Sequence, residues 1–264
     1  MRARVLPACL PSGRIIDNLI DSLGEDPTRH KVQAPDETVA SGRATRSRRS
    51  PSRPLHEVVS CIADDIVFRV YHPRERLVED DLMQRYGAKR HVVRRALAEL
   101  ERDGYVARKP NSGAQVRALS AKETRELYAV REILETSCAR MIPLPVEPRR
   151  LQHLEKLQRE HVAAIKSKDV RAVFRANVAF HEAIFRLCDN DALVDAIVDF
   201  ARRTHPVRLT TLVTEQYLDQ ARREHDEMLR ALRKGDRARL VTLCTRHLKP
   251  AFEAYLRTID HLNG

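Results

Sequence analysis

Three histidines and an asparagine fall where helical spacing could bring them together. Asn177 and His181 are four residues apart and share one helix face, His225 sits in the pair Glu224-His225 of a later helical stretch, and His247 lies in the last one. Three helices that each offer one inward imidazole can close round a single ion, because a metal centre in a helical bundle draws its ligands from facing helices. The plainer alternative is three unconnected histidines, partly buried or at the surface. His72, His91, His153, His161 and His205 show that the chain uses histidine freely. Glu224, adjacent to His225, is expected to point elsewhere on its helix.

A second group is basic. Between Lys89 and Asp103, Val92, Val93, Ala96, Leu97 and Leu100 form an apolar stripe, while Lys89, Arg90, His91, Arg94 and Arg95 gather on the other face. A helix that packs on one side and lies along phosphates on the other needs this division. Upstream, Leu55, Val58, Val59, Ile62 and Ile66 predict a first helix ended by the Tyr71-His72-Pro73 turn, and Leu82 with Tyr86 predicts a short second one. Gly87 supplies the turn and Gly104 a left-handed stop. Apolar segments around Tyr105–Ala107 and Ala114–Val116 flank Pro110-Asn111-Ser112-Gly113, a turn-forming run that fits a hairpin tip. Helix, turn, basic helix and wing in this order is the layout of a winged helix-turn-helix, which implies binding to duplex DNA. The alternative is a small helical bundle whose basic face is merely solvated.

The 264 residues leave room for a small and a larger domain, and a net charge of +11 suits a polyanion, nucleic acid or membrane surface alike. No apolar run is long enough to span a bilayer, and the start has too short a hydrophobic stretch for a secretory signal, so a cytoplasmic location is expected. Cys9, Cys61, Cys138, Cys188 and Cys244 are odd in number and scattered, and read as reduced core residues. Apart from Ile15, Ile16, Leu19, Ile20 and Leu23, which could make one amphipathic turn or two, residues 1–54 lack pattern, and Ala40 to Pro54 holds five arginines and no acid. This reads as a basic, disordered extension that could add nonspecific phosphate contacts.

Beyond the wing, Ser120 and Glu123 make a capping box opening a helix with Leu127, Val130, Leu134, Cys138 and Met141 at helical intervals. Pro143 to Pro148 breaks it. Further helical patterns cover Leu151–Ser167, Val170–Cys188, Ala192–Thr204, Tyr217–Arg233 and Asp236 to about Leu262, with a kink expected at Pro250. The fold class is mainly α: a winged helix-turn-helix over residues 55–118, then an all-α bundle over 119–264.

Residues 55–118 resemble the DNA-binding domain of the GntR family of bacterial transcription factors, through Pro73, Arg76-Leu77-Val78-Glu79, Leu82, Gly87, Arg90, Val93-Arg94, Ala96-Leu97, Leu100-Glu101, Gly104-Tyr105-Val106 and Asn111-Ser112-Gly113. The resemblance implies that Lys89, Arg90, His91, Arg94, Arg95, Asn111 and Gly113 face a double-stranded operator. The chain departs from the family's usual run at Lys89-Arg90-His91-Val92 and at Arg95, so the sequence read on DNA does not carry over. Residues 121–262 resemble the FCD ligand-binding domain of the FadR branch, through Arg131 to Glu135, Asn177 to His181 with Asn190 and Leu193, Glu224-His225 with Met228, Ala231 and Gly235-Asp236, and His247. In many such domains an Asp and three His bind a divalent metal, commonly zinc. The resemblance implies a metal on His181, His225 and His247, zinc first, with nickel or manganese as alternatives. Asn177 stands where the Asp is usual, and an amide oxygen brings no charge, so binding is expected to be weaker or shifted in metal preference.

The resemblance also implies a small organic or sugar acid as effector. Arg131 beside a metal could hold its carboxylate by two parallel hydrogen bonds, or it could instead pair with Glu135 or Glu132. His205 and Arg208 are further pocket candidates, because Pro206 can end a helix and turn side chains inward. The expected whole is a homodimeric, non-enzymatic regulator that does not engage membranes. Two other classes stay open, a metal-dependent hydrolase and an architectural DNA-binding protein without effector.

Overall fold

The computed structural model describes residues 53–109 and 113–263. The basic extension up to residue 52 and the wing-tip residue Asn111 lie outside the described residues.

The N-terminal head is built as its periodicities require. Helix α1 (Leu55–Val67) buries Val58, Ile62 and Ile66, and α2 (Glu79–Tyr86) opens on three acids, Glu79, Asp80 and Asp81, where the helix dipole is positive. Gly87 closes α2 at φ 61°, a left-handed backbone that a side chain would strain. The chain then enters α3 (Arg90–Arg102), whose buried residues are Val93, Ala96, Leu97 and Leu100. The wing pairs β2 (Val106–Lys109) with β3 (Gly113–Val116). Strand β1 (Arg76–Leu77) joins the other edge of β3, giving an antiparallel sheet in the order β1-β3-β2. A two-residue strand carries no alternation, so periodicity offers no sign of β1.

The expected capping box is present. The Ser120 hydroxyl accepts from the Glu123 N–H, and the Glu123 carboxylate accepts from the Ser120 N–H, opening α4 (Ala121–Met141). The bundle continues with α5 (Pro148–Ser167), α6 (Val170–Phe185) prolonged by a 3-10 turn, α7 (Asp191–Arg203), a second 3-10 turn at His205–Val207, the short α8 (Leu209–Leu212), α9 (Glu215–Lys234) and α10 (Arg237–Asn263), which runs through Pro250. One expectation is corrected. On α4 the residues Leu127, Val130 and Leu134 are only half-buried and Met141 is exposed, while Thr124, Tyr128, Arg131, Glu135 and Cys138 face inward. The helix turns a polar face inward because it walls a cavity.

Head and bundle share packing. One core cluster runs from Val58, Ile62 and Leu97 of the head into Phe174, Leu209 and Leu212 of the bundle, and another, around Phe180, Ile184, Met228 and Leu240, belongs to the bundle alone. Polar contacts cross the same junction. Asp65, 3% exposed, accepts from Arg85, from Tyr86 at 2.8 Å and from Arg171 of α6 at 3.0 Å. Gly104, at φ 80°, lets Arg203 approach so closely that a Cβ there would lie 3.2 Å from its Cγ. Among the described residues, no helix is long and apolar enough to cross a membrane.

Candidate functional site

The three histidines of the sequence pattern meet. His181 from α6, His225 from α9 and His247 from α10 place their ligand atoms within 4.8 Å of one another, with Nε2 separations of 3.0 Å from His181 to His247 and 3.2 Å from His181 to His225. The outer nitrogens of His225 and His247 are already engaged. His225 Nδ1 donates to Gln158 Oε1 at 3.0 Å and His247 Nδ1 to Glu224 Oε2 at 2.7 Å, which leaves the Nε2 lone pairs of both rings aimed at His181. A proton on His181 could satisfy one of those lone pairs at a time, whereas a cation accepts all three. Nitrogens bound at 2.0–2.1 Å to one ion sit roughly 3.0–3.4 Å apart, so the two separations from His181 match those of a shared metal. Burial holds His181 and His225 well below the ordinary imidazole range, in the neutral form a metal requires. Asn177, one turn before His181 on α6, is buried and lines the adjoining cavity.

Glu224 overturns its expectation. Glu224 is 3% exposed and its carboxylate is turned onto His247, with Gln220 donating to it at 3.0 Å and Arg246 forming an ion pair with it at 3.2 Å. Burial opposes its ionisation, but these partners outweigh that and keep it below the ordinary carboxyl range. A carboxylate so engaged orients an imidazole and is poorly placed to take a proton from water.

Beside His247 of the triad lies a cavity of about 60 Å³, walled also by Arg131, His161, Asn177, Arg208 and Glu224 among others. Arg131, 3% exposed, binds Glu135 at 2.8 Å and donates to the Thr204 hydroxyl at 3.0 Å. Its charge is therefore matched. Arg208 is less well served: its Nε is buried with no hydrogen-bond partner, and burial, together with Arg131, pushes the guanidinium down to about 10. His205 leaves the pocket set. The Pro206 turn aims it at the head, where a 2.9 Å hydrogen bond joins its Nδ1 to the Tyr105 hydroxyl. Periodicity also passed over Gln158 and His161. Both fall on the buried stripe of α5 that begins at Leu154, and polar residues on such a stripe were the available signal.

On the head, Lys89, Arg90, His91, Arg94 and Arg95 are all exposed on or beside the first turns of α3. Arg90 donates to Asp80 at 2.5 Å, and Arg94 reaches both Glu79 oxygens at 3.0 Å. A cleft of about 630 Å³ separates α3 from the wing, walled by Arg76, Arg94 and Arg108 with Gly113 at its edge. The arrangement offers a convex basic helix beside a basic groove, as phosphate-lined DNA requires.

Comparison with known proteins agrees. The family described as "Bacterial regulatory proteins, gntR family" matches residues 55–116, and the FCD domain matches residues 126–250. The chain is 30% identical over 126 residues to the uncharacterized HTH-type transcriptional regulator in the TAR-I ttuE-ttuC' intergenic region of Agrobacterium vitis, covering 47% of this chain and 74% of that protein. It is 23% identical over 206 residues to the HTH-type transcriptional repressor RspR of Escherichia coli K12, covering 78% and 90%. A solved GntR transcriptional regulator from Rhodococcus sp. RHA1 superposes with a TM-score of 0.62 at 22% identity, covering 77% of this chain and 97% of that one, which establishes the shared fold. Head, bundle and matches thus coincide: the chain belongs to the GntR family of bacterial regulatory proteins, a transcriptional regulator with an FCD domain behind its winged helix-turn-helix.

Proposed function

We propose that this regulator binds its operator as a homodimer through α3 and the wing, and that a small carboxylate seated beside a divalent metal in the bundle changes its operator affinity. The observation that carries the reading is a cavity walled by His247, one of three imidazoles whose nitrogens converge, and by Arg208, whose Nε is buried without a hydrogen-bond partner. His181, His225 and His247 would hold the ion, with Asn177 as an optional fourth ligand. When bound, the ion would supply positive charge and an open position for an oxygen of the acid. Arg208 would take the carboxylate, because a ligand oxygen pairs its orphaned Nε–H and offsets the burial of the cation. The exposed Ile133 and Met141 on α4 offer an apolar surface for the second copy. Ligand and DNA are coupled if the acid favours one setting of the two heads over another.

The test is elemental analysis of purified protein, then operator titrations of the zinc-loaded chain across a panel of organic and sugar acids. About one ion per chain and an acid that shifts operator affinity are expected. Protein that takes up no zinc, nickel or manganese removes the centre, and operator affinity indifferent to every acid removes the effector.

A further inference from the structure

We propose that His161 reads the ligand: its imidazole hydrogen-bonds the hydroxyl of a short hydroxy acid seated over the histidine triad, and so selects among carboxylates. This rests on the carboxylate reading of the cavity given above.

His161 stands on α5, which carries none of the sequence-expected ligands. The residue is 1% exposed, it lines the same cavity as Arg208 and His247, and its Nδ1 is buried with no hydrogen-bond partner. The other inward histidines are tied down, His225 by Gln158 and His247 by Glu224. A histidine kept only for packing would leave a buried polar atom unpaired at a cost of about 1–3 kcal/mol, which an apolar residue avoids. Its ring centre lies 4.8 Å from that of His225, yet it is not among the three imidazoles whose ligand atoms converge. His161 therefore faces what sits on the ion, and is not itself a ligand of the ion.

Size narrows the guest. A water-sized group needs roughly 10–15 Å³ of such space, so the cavity of about 60 Å³ admits roughly four to six non-hydrogen atoms. A two- or three-carbon acid fills that space. With the carboxylate on Arg208, the unpaired buried polar atoms left in the wall are the Tyr128 hydroxyl and His161 Nδ1, and of the two His161 stands next to the triad, its ring packed on that of His225. A hydroxyl there pairs the orphan nitrogen, and a methyl leaves it unpaired.

Acetate and glycolate differ by that one hydroxyl and serve as probes. Zinc affinity of the full chain is measured first by competition with a chromophoric chelator, and each acid is then titrated calorimetrically into zinc-loaded protein. Wild type should prefer glycolate by roughly five- to a hundredfold. His161→Phe and His161→Leu should erase that preference while keeping zinc and acetate affinity, and His161→Gln, which still hydrogen-bonds, should retain part of it. A glycolate preference that survives in either apolar variant overturns the proposal, as does zinc-loaded wild type that binds neither acid. Loss of zinc from these variants would make His161 a metal ligand and overturn its assignment to the acid. A wild-type chain that takes no zinc defeats instead the metal reading beneath it.

Discussion

Asn177 presents an amide oxygen one turn before His181, buried beside the cavity and bringing no charge to the proposed centre. Asn177→Asp should restore an anionic ligand and tighten zinc binding by about tenfold or more, read by chelator competition. The two cavity arginines should part company. Removing Arg131 leaves Glu135 buried without its partner, so Arg131→Met should cost about 3–5 kcal/mol in denaturant unfolding. Arg208→Met deletes a cation with no protein partner for its Nε, and should leave stability nearly unchanged while abolishing the response to acids. Equal destabilisation by both would show that Arg208 is structural.

At the scale of elements, α2 and α3 meet through charge. Glu79 and Asp80, which open α2, hold Arg90 and Arg94 at the start of α3, so DNA phosphates must compete for the same guanidinium groups. Glu79→Gln should raise affinity for non-operator DNA by roughly two- to fivefold and steepen its salt dependence, measured by fluorescence anisotropy. Arg94→Ala should weaken operator binding by about 1–3 kcal/mol if it contacts a base. The opening of α4 gives a pH prediction. Hydrogen bonds from the Ser120 hydroxyl and backbone, then from Arg117, hold the Glu123 carboxyl down to about 2. A depressed folded-state pKa contributes stability that is present above the ordinary carboxyl value and lost as pH falls toward 2. Glu123→Gln should therefore destabilise at neutral pH and converge with wild type in acid, followed by melting temperature between pH 7 and pH 2.

For the whole molecule, the junction of head and bundle decides whether the cavity can be felt at the DNA. A chain of contacts runs from Arg131 to the Thr204 hydroxyl, along one peptide to His205, and across to Tyr105 at the edge of the wing. Such contiguity counts as coupling only when an energy is measured. The cycle of Thr204→Val and Tyr105→Phe should return an interaction of about 0.5–3 kcal/mol in unfolding, and strict additivity would break the chain. Arg171 and Asp65 make a second strut, itself packed over Phe68 at 4.6 Å. Arg171→Ala should split a single calorimetric transition into separate melting of head and bundle.

Local pattern alone determined much of this protein. The apolar stripe of α3, Gly87, the Ser120–Glu123 box and the helical stretches of the bundle were legible because each depends on residues within a few positions of one another. The convergence of His181, His225 and His247 was legible as a possibility, since each stood on a separate amphipathic helix. Tertiary structure decided the rest, because packing rotates whole helices and joins residues far apart in sequence. It turned the polar face of α4 inward, swung Glu224 onto His247 and moved His205 from the pocket to Tyr105, 100 positions away. It also drew His161 into the cavity wall, a placement set by the docking of α5 against α6 and α9.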